Sequence, residues 1–315
     1  MTMTSITPYS IEYKEVWDDF VAKSKNATFL FFRDYMDYHA DRFQDHSLLI
    51  FNKKKLVALL PANIKDDTIY SHEGLTYGGL LISERTTVTE TLELFEQICL
   101  YFKALNIKKL VYKCIPYIYS KHPAQEDLYV LFRLKAQRIA CHISSTIVQS
   151  NPIPFIESRK SGVRKAKQNE IVIEKCNQFD LFWEILSNNL RDKYDARPVH
   201  SLEEITLLRN KFPKNIEHYL VLTKDRVPLA GTVIYLFDQV AHTQYISSSI
   251  NGRKTGALDL LFLHLVNDVY KNKTYFDFGT STEQMGNYLN EGLIFQKKGF
   301  GGRGVAYETY EINII

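Results

Sequence analysis

Tyr275-Phe-Asp-Phe-Gly-Thr-Ser-Thr-Glu283, followed by Lys297-Lys-Gly-Phe-Gly-Gly-Arg-Gly304, is the stretch on which the reading of the fold turns. It gathers acids, hydroxyls, glycines and a lysine pair in a region otherwise rich in apolar runs. Asp277-Phe278-Gly279 spells the magnesium-binding tripeptide of protein kinases, and Gly299, Gly301 and Gly304 fit the G-x-G-x-x-G of nucleotide loops. Order and context exclude both. No His-Arg-Asp precedes the tripeptide, and a dinucleotide loop needs a strand before it and a helix after it. Gly304 instead leads into Val305-Ala-Tyr-Glu-Thr-Tyr-Glu-Ile-Asn-Ile314, an alternating run that predicts a closing strand.

Working back from this stretch, the pattern predicts strands at 219–222, 229–237 and 241–248. The loop Ile250-Asn-Gly-Arg-Lys-Thr-Gly256 then leads into an apolar helix, 257–270, and a buried strand, 275–278. Upstream lie a basic helix from Phe155 to about Lys167, a strand at 171–174 and a helix at 179–192. A polar loop, Lys193 to His200, precedes Ser201-Leu-Glu-Glu204, a capping box opening a helix to about Lys211. The first half predicts a helix at 12–23, a hairpin of strands 47–51 and 56–62, and a short strand at 68–71. After Ser71-His-Glu-Gly-Leu-Thr-Tyr-Gly-Gly79 come a helix at 88–105, a strand at 109–113, a helix at 125–135 and a strand at 142–148. Asn151-Pro-Ile-Pro154 interrupts helix and ladder alike. The expected domains are therefore 1–150 and 151–315. Both halves run antiparallel strands, a glycine-containing loop, a helix and a further strand, the syntax of an internal duplication.

The 315 residues are 45% hydrophobic and 24% charged, values of an ordinary globular protein with room for two domains. A net charge of +3 gives no case for DNA as a partner. Cys99, Cys114, Cys141 and Cys176 are widely spaced, which suits reduced thiols better than a disulfide framework or a zinc site. His39 and His46 have no metal-ligand spacing, so no metal is expected. The first residues lack a signal-peptide pattern and no apolar run reaches the ~20 residues that span a bilayer. The expectation is a cytoplasmic protein without a transmembrane segment, with peripheral contact at the inner face of the membrane left open.

Several residues carry candidate chemistry. A glycine-containing turn opening a helix exposes backbone N–H groups to an anion, which makes Asn251, Arg253, Lys254 and Gly256 a candidate donor-phosphate site; a plain strand–helix turn favours glycine too. Asp277, at the end of a buried strand, either takes a proton from an acceptor amine or caps the Thr280–Thr282 turn, and Glu283 follows the same logic. Lys297 is either an ammonium for an oxyanion or a solvated surface lysine beside Lys298. Gln244 and Tyr245 lie on a central strand whose alternation puts one of them inward. With His200, His72 and Tyr77 they are the candidate substrate contacts. No G-x-S-x-G elbow appears, which argues against a hydrolase.

The chain resembles the FemAB-related branch of the GNAT (GCN5-related N-acetyltransferase) superfamily. The resemblance lies in the order of Arg164-Lys-Ala-Lys167, Arg197-Pro-Val-His200, His242-Thr-Gln-Tyr245, Gly256-Ala-Leu-Asp259, Phe276-Asp-Phe-Gly279 and Gly292-Leu-Ile-Phe-Gln-Lys297-Lys-Gly-Phe300, with Ser71–Gly79 as a facing segment in the first half. Leu258 stands where that superfamily's coenzyme A loop has a small residue, and Gln296 replaces an aromatic residue. The resemblance implies an α/β (mixed α+β) protein of two GNAT-like domains, each a mostly antiparallel mixed sheet flanked by helices. It implies an acyltransferase, with acyl-coenzyme A as co-substrate, acting on an amine of a small-molecule, lipid-linked or nucleotide-linked glycan precursor of the cell envelope. Lys297 takes the oxyanion role by the same resemblance. Two alternatives stand beside it. One is an aminoacyl-tRNA-dependent peptidoglycan ligase, although the helical arm of such members has no counterpart here. The other is a non-catalytic binding protein on a degenerate tandem scaffold.

Overall fold

The computed structural model describes residues 4–314. Contacts cluster into two compact units: the chain up to His142 with Thr282–Tyr288 and the stretch from Ala306, and Ile143–Ser281 with Leu289–Val305. The expected division after residue 150 follows chain order, whereas packing assigns the end of the closing strand to the first unit and Ile143 onward to the second. A strand takes its partners across a sheet, not from its neighbours along the chain.

In the first unit, Thr4–Pro8, Leu48–Asn52, Lys55–Leu60 and Leu81–Ile82 form an antiparallel sheet. The predicted hairpin turns at Lys53, whose positive φ of 58° suits a tight turn. A second group runs Gln44–Asp45, Asn63–Lys65, Thr68–Tyr70 and Lys109–Lys113, the last pair parallel. The helix Val88–Ala104 joins that parallel pair and starts on a capping box of Thr87 and Glu90. Its buried face, Leu94, Phe95, Ile98 and Phe102, repeats at helical spacing and meets Ile50, Leu60, Leu110 and Tyr112 in one core.

The second unit holds a mixed sheet in the order Val172–Cys176, Ile216–Leu222, Pro228–Leu236, Val240–Ser248, Tyr275–Thr280 and the 144–148 stretch of Gln137–Val148. Every pair is antiparallel except Val240–Ser248 with Tyr275–Thr280. Helices cover it, among them Glu157–Gln168, Asp180–Tyr194 and Ala257–His264, and the Ser201–Glu204 capping box forms as its spacing predicts. Phe262, Phe276, Phe278 and Phe300 make the aromatic centre of the core, Phe278 stacked on Phe300 at 5.6 Å. A helical connection between two parallel strands thus recurs in each unit, the physical content of the repeated syntax.

The segment 250–256 departs from its predicted loop. Ile250–Thr255 is a short helix capped by the Ser249 hydroxyl, and Gly256 breaks it with a φ of 76° before Ala257–His264 begins. A Cβ on Gly256 would lie 2.2 Å from the Gly162 carbonyl oxygen, so close helix packing requires glycine there.

Candidate functional site

The parallel pairing of Val240–Ser248 with Tyr275–Thr280 runs through Val240↔Tyr275, Ala241↔Phe276 and His242↔Asp277 and stops, while both strands continue. A fork opens at His242 and Asp277. Register partners in a parallel pair point to the same face, and His242 Nδ1 lies 2.7 Å from Asp277 Oδ2. On the other side of Asp277, Thr146 is its antiparallel partner and Ser144 stands two residues away on the same face. Their hydroxyls donate to Asp277 Oδ1 at 2.6 Å and 2.5 Å.

Asp277 is fully buried, which by itself raises a carboxyl pKa. Hydrogen bonds from His242, Ser144 and Thr146 outweigh burial and hold the group down at about 2. An ionised carboxylate only accepts, so the shared proton belongs to His242 Nδ1. Gly279 flanks that ring at a φ of 73°; a Cβ there would stand 3.3 Å from His242 Cε1. Lys297 completes the group from the helix Glu291–Gly299. It is only 7% exposed, and its ammonium donates to the carbonyls of Gly279 at 2.9 Å and Thr280 at 2.7 Å. Burial pulls its pKa down to about 8, partly opposed by the charge of Asp277. Three N–H groups with two carbonyls bound leave one donor for an incoming oxygen. The surface-lysine reading fits Lys298, which is exposed beside Phe295.

The glycines after Lys297 seat this helix. A Cβ on Gly301 would meet the Ile153 carbonyl oxygen at 2.2 Å, and one on Gly302 would meet Ser145 Cβ at 2.9 Å. The run that imitates a nucleotide loop is a packing junction against the strand that carries Ser144 and Thr146.

A cleft of about 690 Å³ lies between the helix Asp180–Tyr194 and the connection that follows it, lined by Trp183, Arg191, Arg197, Pro198, Val199 and His200 among others. His200 of that lining is held by Tyr245, whose hydroxyl sits 2.6 Å from His200 Nδ1 and accepts from the His200 backbone N–H at 3.1 Å. Trp183 packs edge-on against the Tyr245 ring at 5.1 Å. Gln244 and Tyr245 are both half-buried, because the ladder slips between Val233↔Tyr245 and Ile234↔Thr243 and interrupts the alternation that predicted one inward residue. Three residues along a strand span ~10 Å, which separates Tyr245, the partner of His200, from His242 of the fork.

The other predicted residues are placed elsewhere. Asn251, Arg253 and Lys254 are exposed on the short helix, and the Arg253 guanidinium donates to the Ser248 carbonyl at 2.7 Å. The Gly252 N–H is taken by the Ser249 hydroxyl. The correction concerns the backbone: the segment is one turn of helix where a loop was expected. Glu283 is exposed and belongs to the first unit. His72 and Tyr77 are core residues of that unit, 4% and 2% exposed. His72 packs against His39 and Phe43, and burial depresses its pKa to about 3; Tyr77 packs against Phe31 and Tyr119. In the basic helix, Arg159 pairs with Asp259 at 3.1 Å and lies over the Phe300 ring, while Lys160, Arg164, Lys165 and Lys167 are exposed.

Sequence reasoning missed His242, Ser144 and Thr146 as site residues. Their signal was a run of polar residues inside a strand, Ser144-Ser-Thr146 and His242-Thr-Gln244, with 144 and 146 on the face of 277. The four cysteines are free, with Cys114 buried. Among the described residues no His, Cys, Asp or Glu cluster could hold a metal, and no helix is long and apolar enough to cross a membrane.

No family model matches the chain. No curated protein matches it in sequence. Solved structures do match in fold. FemX is 11% identical, with 96% of each chain covered and a TM-score of 0.66. L-PGS from Bacillus licheniformis is 9% identical, with 96% of this chain and 91% of that one covered and a TM-score of 0.61. A tandem GNAT protein from the clavulanic acid biosynthesis pathway is 10% identical, with 99% of each covered and a TM-score of 0.52. The chain has a mixed α/β fold of the GNAT-like type, shared with these proteins over nearly its whole length.

Proposed function

We propose that the chain is an N-acyltransferase of the FemAB-like type, built on two GNAT-like domains, and that the fork at His242 and Asp277 is its reaction centre. The observation that carries the reading is the buried Lys297 ammonium fixed beside a histidine–carboxylate pair where two parallel strands part. Parting strands leave unpaired backbone groups along which an amide-bearing donor arm can lie. A fixed ammonium supplies charge where a tetrahedral intermediate develops its oxyanion, a contribution on the order of 10²–10³ in rate. The cleft at Trp183 and His200 holds the acceptor. Its apolar wall and its two arginines suit a molecule with both an apolar part and an anionic group, such as a lipid-linked or nucleotide-linked glycan precursor bearing an amine. The protein would work in the cytoplasm, at or near the inner face of the membrane.

A second reading has its own support. Arg253 bound to its own strand and Leu258 in place of a small residue favour a donor other than coenzyme A, or a scaffold that only binds. The test is acyl transfer by the purified chain from acetyl-coenzyme A, longer acyl-coenzyme A esters and aminoacyl-tRNA to nucleotide-linked amino-sugar peptides, followed by product mass. Transfer from one donor that Lys297→Met reduces at least 100-fold supports the enzyme. Acceptor binding by calorimetry with no transfer from any donor supports the binding scaffold.

A further inference from the structure

We infer that the face formed by the 151–156 connection and the helix Glu291–Gly299 docks on an anionic lipid bilayer. The inference rests on the membrane location proposed above and on none of the chemistry at Lys297. Three large apolar side chains of this face lie outside the core: Ile153, Ile156 and Phe295 are 42%, 38% and 52% exposed. Backbone contacts at glycine bring their two segments side by side. The Ile156 N–H donates to the Gly299 carbonyl at 3.0 Å, and a Cβ on Gly299 would stand 3.2 Å from Ile156 Cδ1. The close approach of Gly301 to the Ile153 carbonyl repeats the device. Phe295 precedes Gly299 by one helical turn and so lies on the side of the helix that Ile156 flanks. The core behind needs none of the three, because Phe155 and Phe300 close it edge to face at 5.2 Å.

The charge around this face has one sign. Between Asn151 and Asn169 stand five cations and a single acid, Glu157, in a chain whose net charge is only +3. Arg159 is engaged by Asp259 and Arg164 by Glu157. Lys160, Lys165, Lys167 and Lys298 are exposed and take no part in those pairs. Lys160 follows Ile156 by one turn, its N–H bonded to the Ile156 carbonyl at 3.1 Å, and the Lys298 ammonium lies 5.2 Å over the Phe295 ring. Each of these two apolar side chains thus has a lysine beside it. Burial of the apolar group among acyl chains, with the lysine stem reaching back to the headgroups, satisfies both. Each lysine near an anionic bilayer strengthens binding about fivefold, so four supply a factor on the order of 10²–10³. A nucleic acid draws on the same lysines, yet it offers no apolar phase for Ile153 and Ile156. The same helix carries Lys297 on its buried side, so docking holds the proposed reaction centre at the bilayer, where lipid-linked acceptors reside.

Flotation of the full chain with vesicles tests this surface without any turnover. Vesicles of phosphatidylcholine with phosphatidylglycerol should carry the chain, phosphatidylcholine alone should not, and added salt should release it. Phe295→Ser, and Lys160→Gln combined with Lys298→Gln, should each weaken binding about tenfold or more. Melting should stay unchanged, since all three side chains are exposed. Phe295→Trp supplies a reading that does not depend on those variants. Over the signal of Trp17 and Trp183, its emission should shift to the blue on anionic vesicles and be quenched by lipids brominated in their chains. No flotation with anionic vesicles overturns the inference. So does flotation that folded Phe295→Ser and the lysine double variant leave unchanged, or a Phe295→Trp signal that neither shifts nor quenches. Binding of transfer RNA that needs the lysines and ignores Phe295, with no binding to vesicles, assigns the face to a nucleic acid and overturns it as well. Acyl transfer to a water-soluble amine is measured beside these. Its absence defeats the reaction at Lys297 and leaves vesicle binding to decide the docking; transfer without vesicle binding overturns the docking alone.

Discussion

His242 Nδ1 stands 2.7 Å from Asp277 Oδ2 at the last register pair that the strands Val240–Ser248 and Tyr275–Thr280 share. The contact belongs to the fold and to the site at once. It ties the two strands together where their backbone ladder ends, and it fixes the ring at the mouth of the fork.

The first prediction concerns acid. Asp277 is held at about 2, below the ~3.9 of an unfolded aspartate. A depressed folded pKa contributes stability above the unfolded value and loses it as pH falls through the folded one. Urea unfolding of wild type and Asp277→Asn should therefore differ by about 2 kcal/mol more at pH 5 than at pH 2. A gap that stays constant over this range contradicts an ionised Asp277.

Lys297 makes the opposite pH statement. Its pKa of about 8 lies under the ~10.4 of an unfolded lysine, so between these values the folded state holds fewer protons and stability rises with pH. Activity should move the other way, falling as the ammonium is lost above pH ~8. Lys297→Met should flatten the stability rise. A wild-type rate that climbs through this window would assign Lys297 a base role instead.

Gly256 tests what the 250–256 segment is for. If close packing on Gly162 explains the glycine, Gly256→Ala should cost about 1–3 kcal/mol in urea unfolding, because both the positive φ and the 2.2 Å approach to the Gly162 carbonyl oppose a Cβ. Arg253→Ala, by contrast, should change the donor KM less than about threefold, since its guanidinium serves the Ser248 carbonyl. A tenfold rise in KM for coenzyme A esters alone would restore a phosphate role.

The cleft has its own lever. Tyr245→Phe removes the hydroxyl that organises both the backbone N–H and the ring of His200. Loss of a buried partner costs about 1–3 kcal/mol, so melting should drop and hydrogen exchange in the 195–201 loop should accelerate. Unchanged exchange would detach that loop from the strand bearing the fork.

Much of this was legible in the chain. Period-2 and period-3.6 patterns located the strands around 216–248 and the helices at 88–104 and 202–211, and the Ser201–Glu204 capping box could be read from its spacing. Asp277 was visible as an acid inside an apolar strand, and Lys297 through the resemblance of its segment. Roles were harder. Nothing local to Asp277 says that Ser144 and Thr146, over a hundred residues upstream, saturate it, because only sheet register brings them together. The slip at Gln244 hid the inward face of its strand. Glycine in Gly252–Gly256 looked like a loop, but one capped turn of helix satisfies the same backbone groups, and sequence alone does not separate the two. His72 and Tyr77 looked available because histidine and tyrosine titrate and hydrogen-bond, yet aromatic packing buries both.

The most direct measurement is the rate of acyl transfer to an amine acceptor by wild type and Lys297→Met, with folding of each checked by melting. The account predicts amine-dependent product from the wild type and a loss on the order of 100-fold or more in Lys297→Met. Product formed at the wild-type rate by folded Lys297→Met would contradict it.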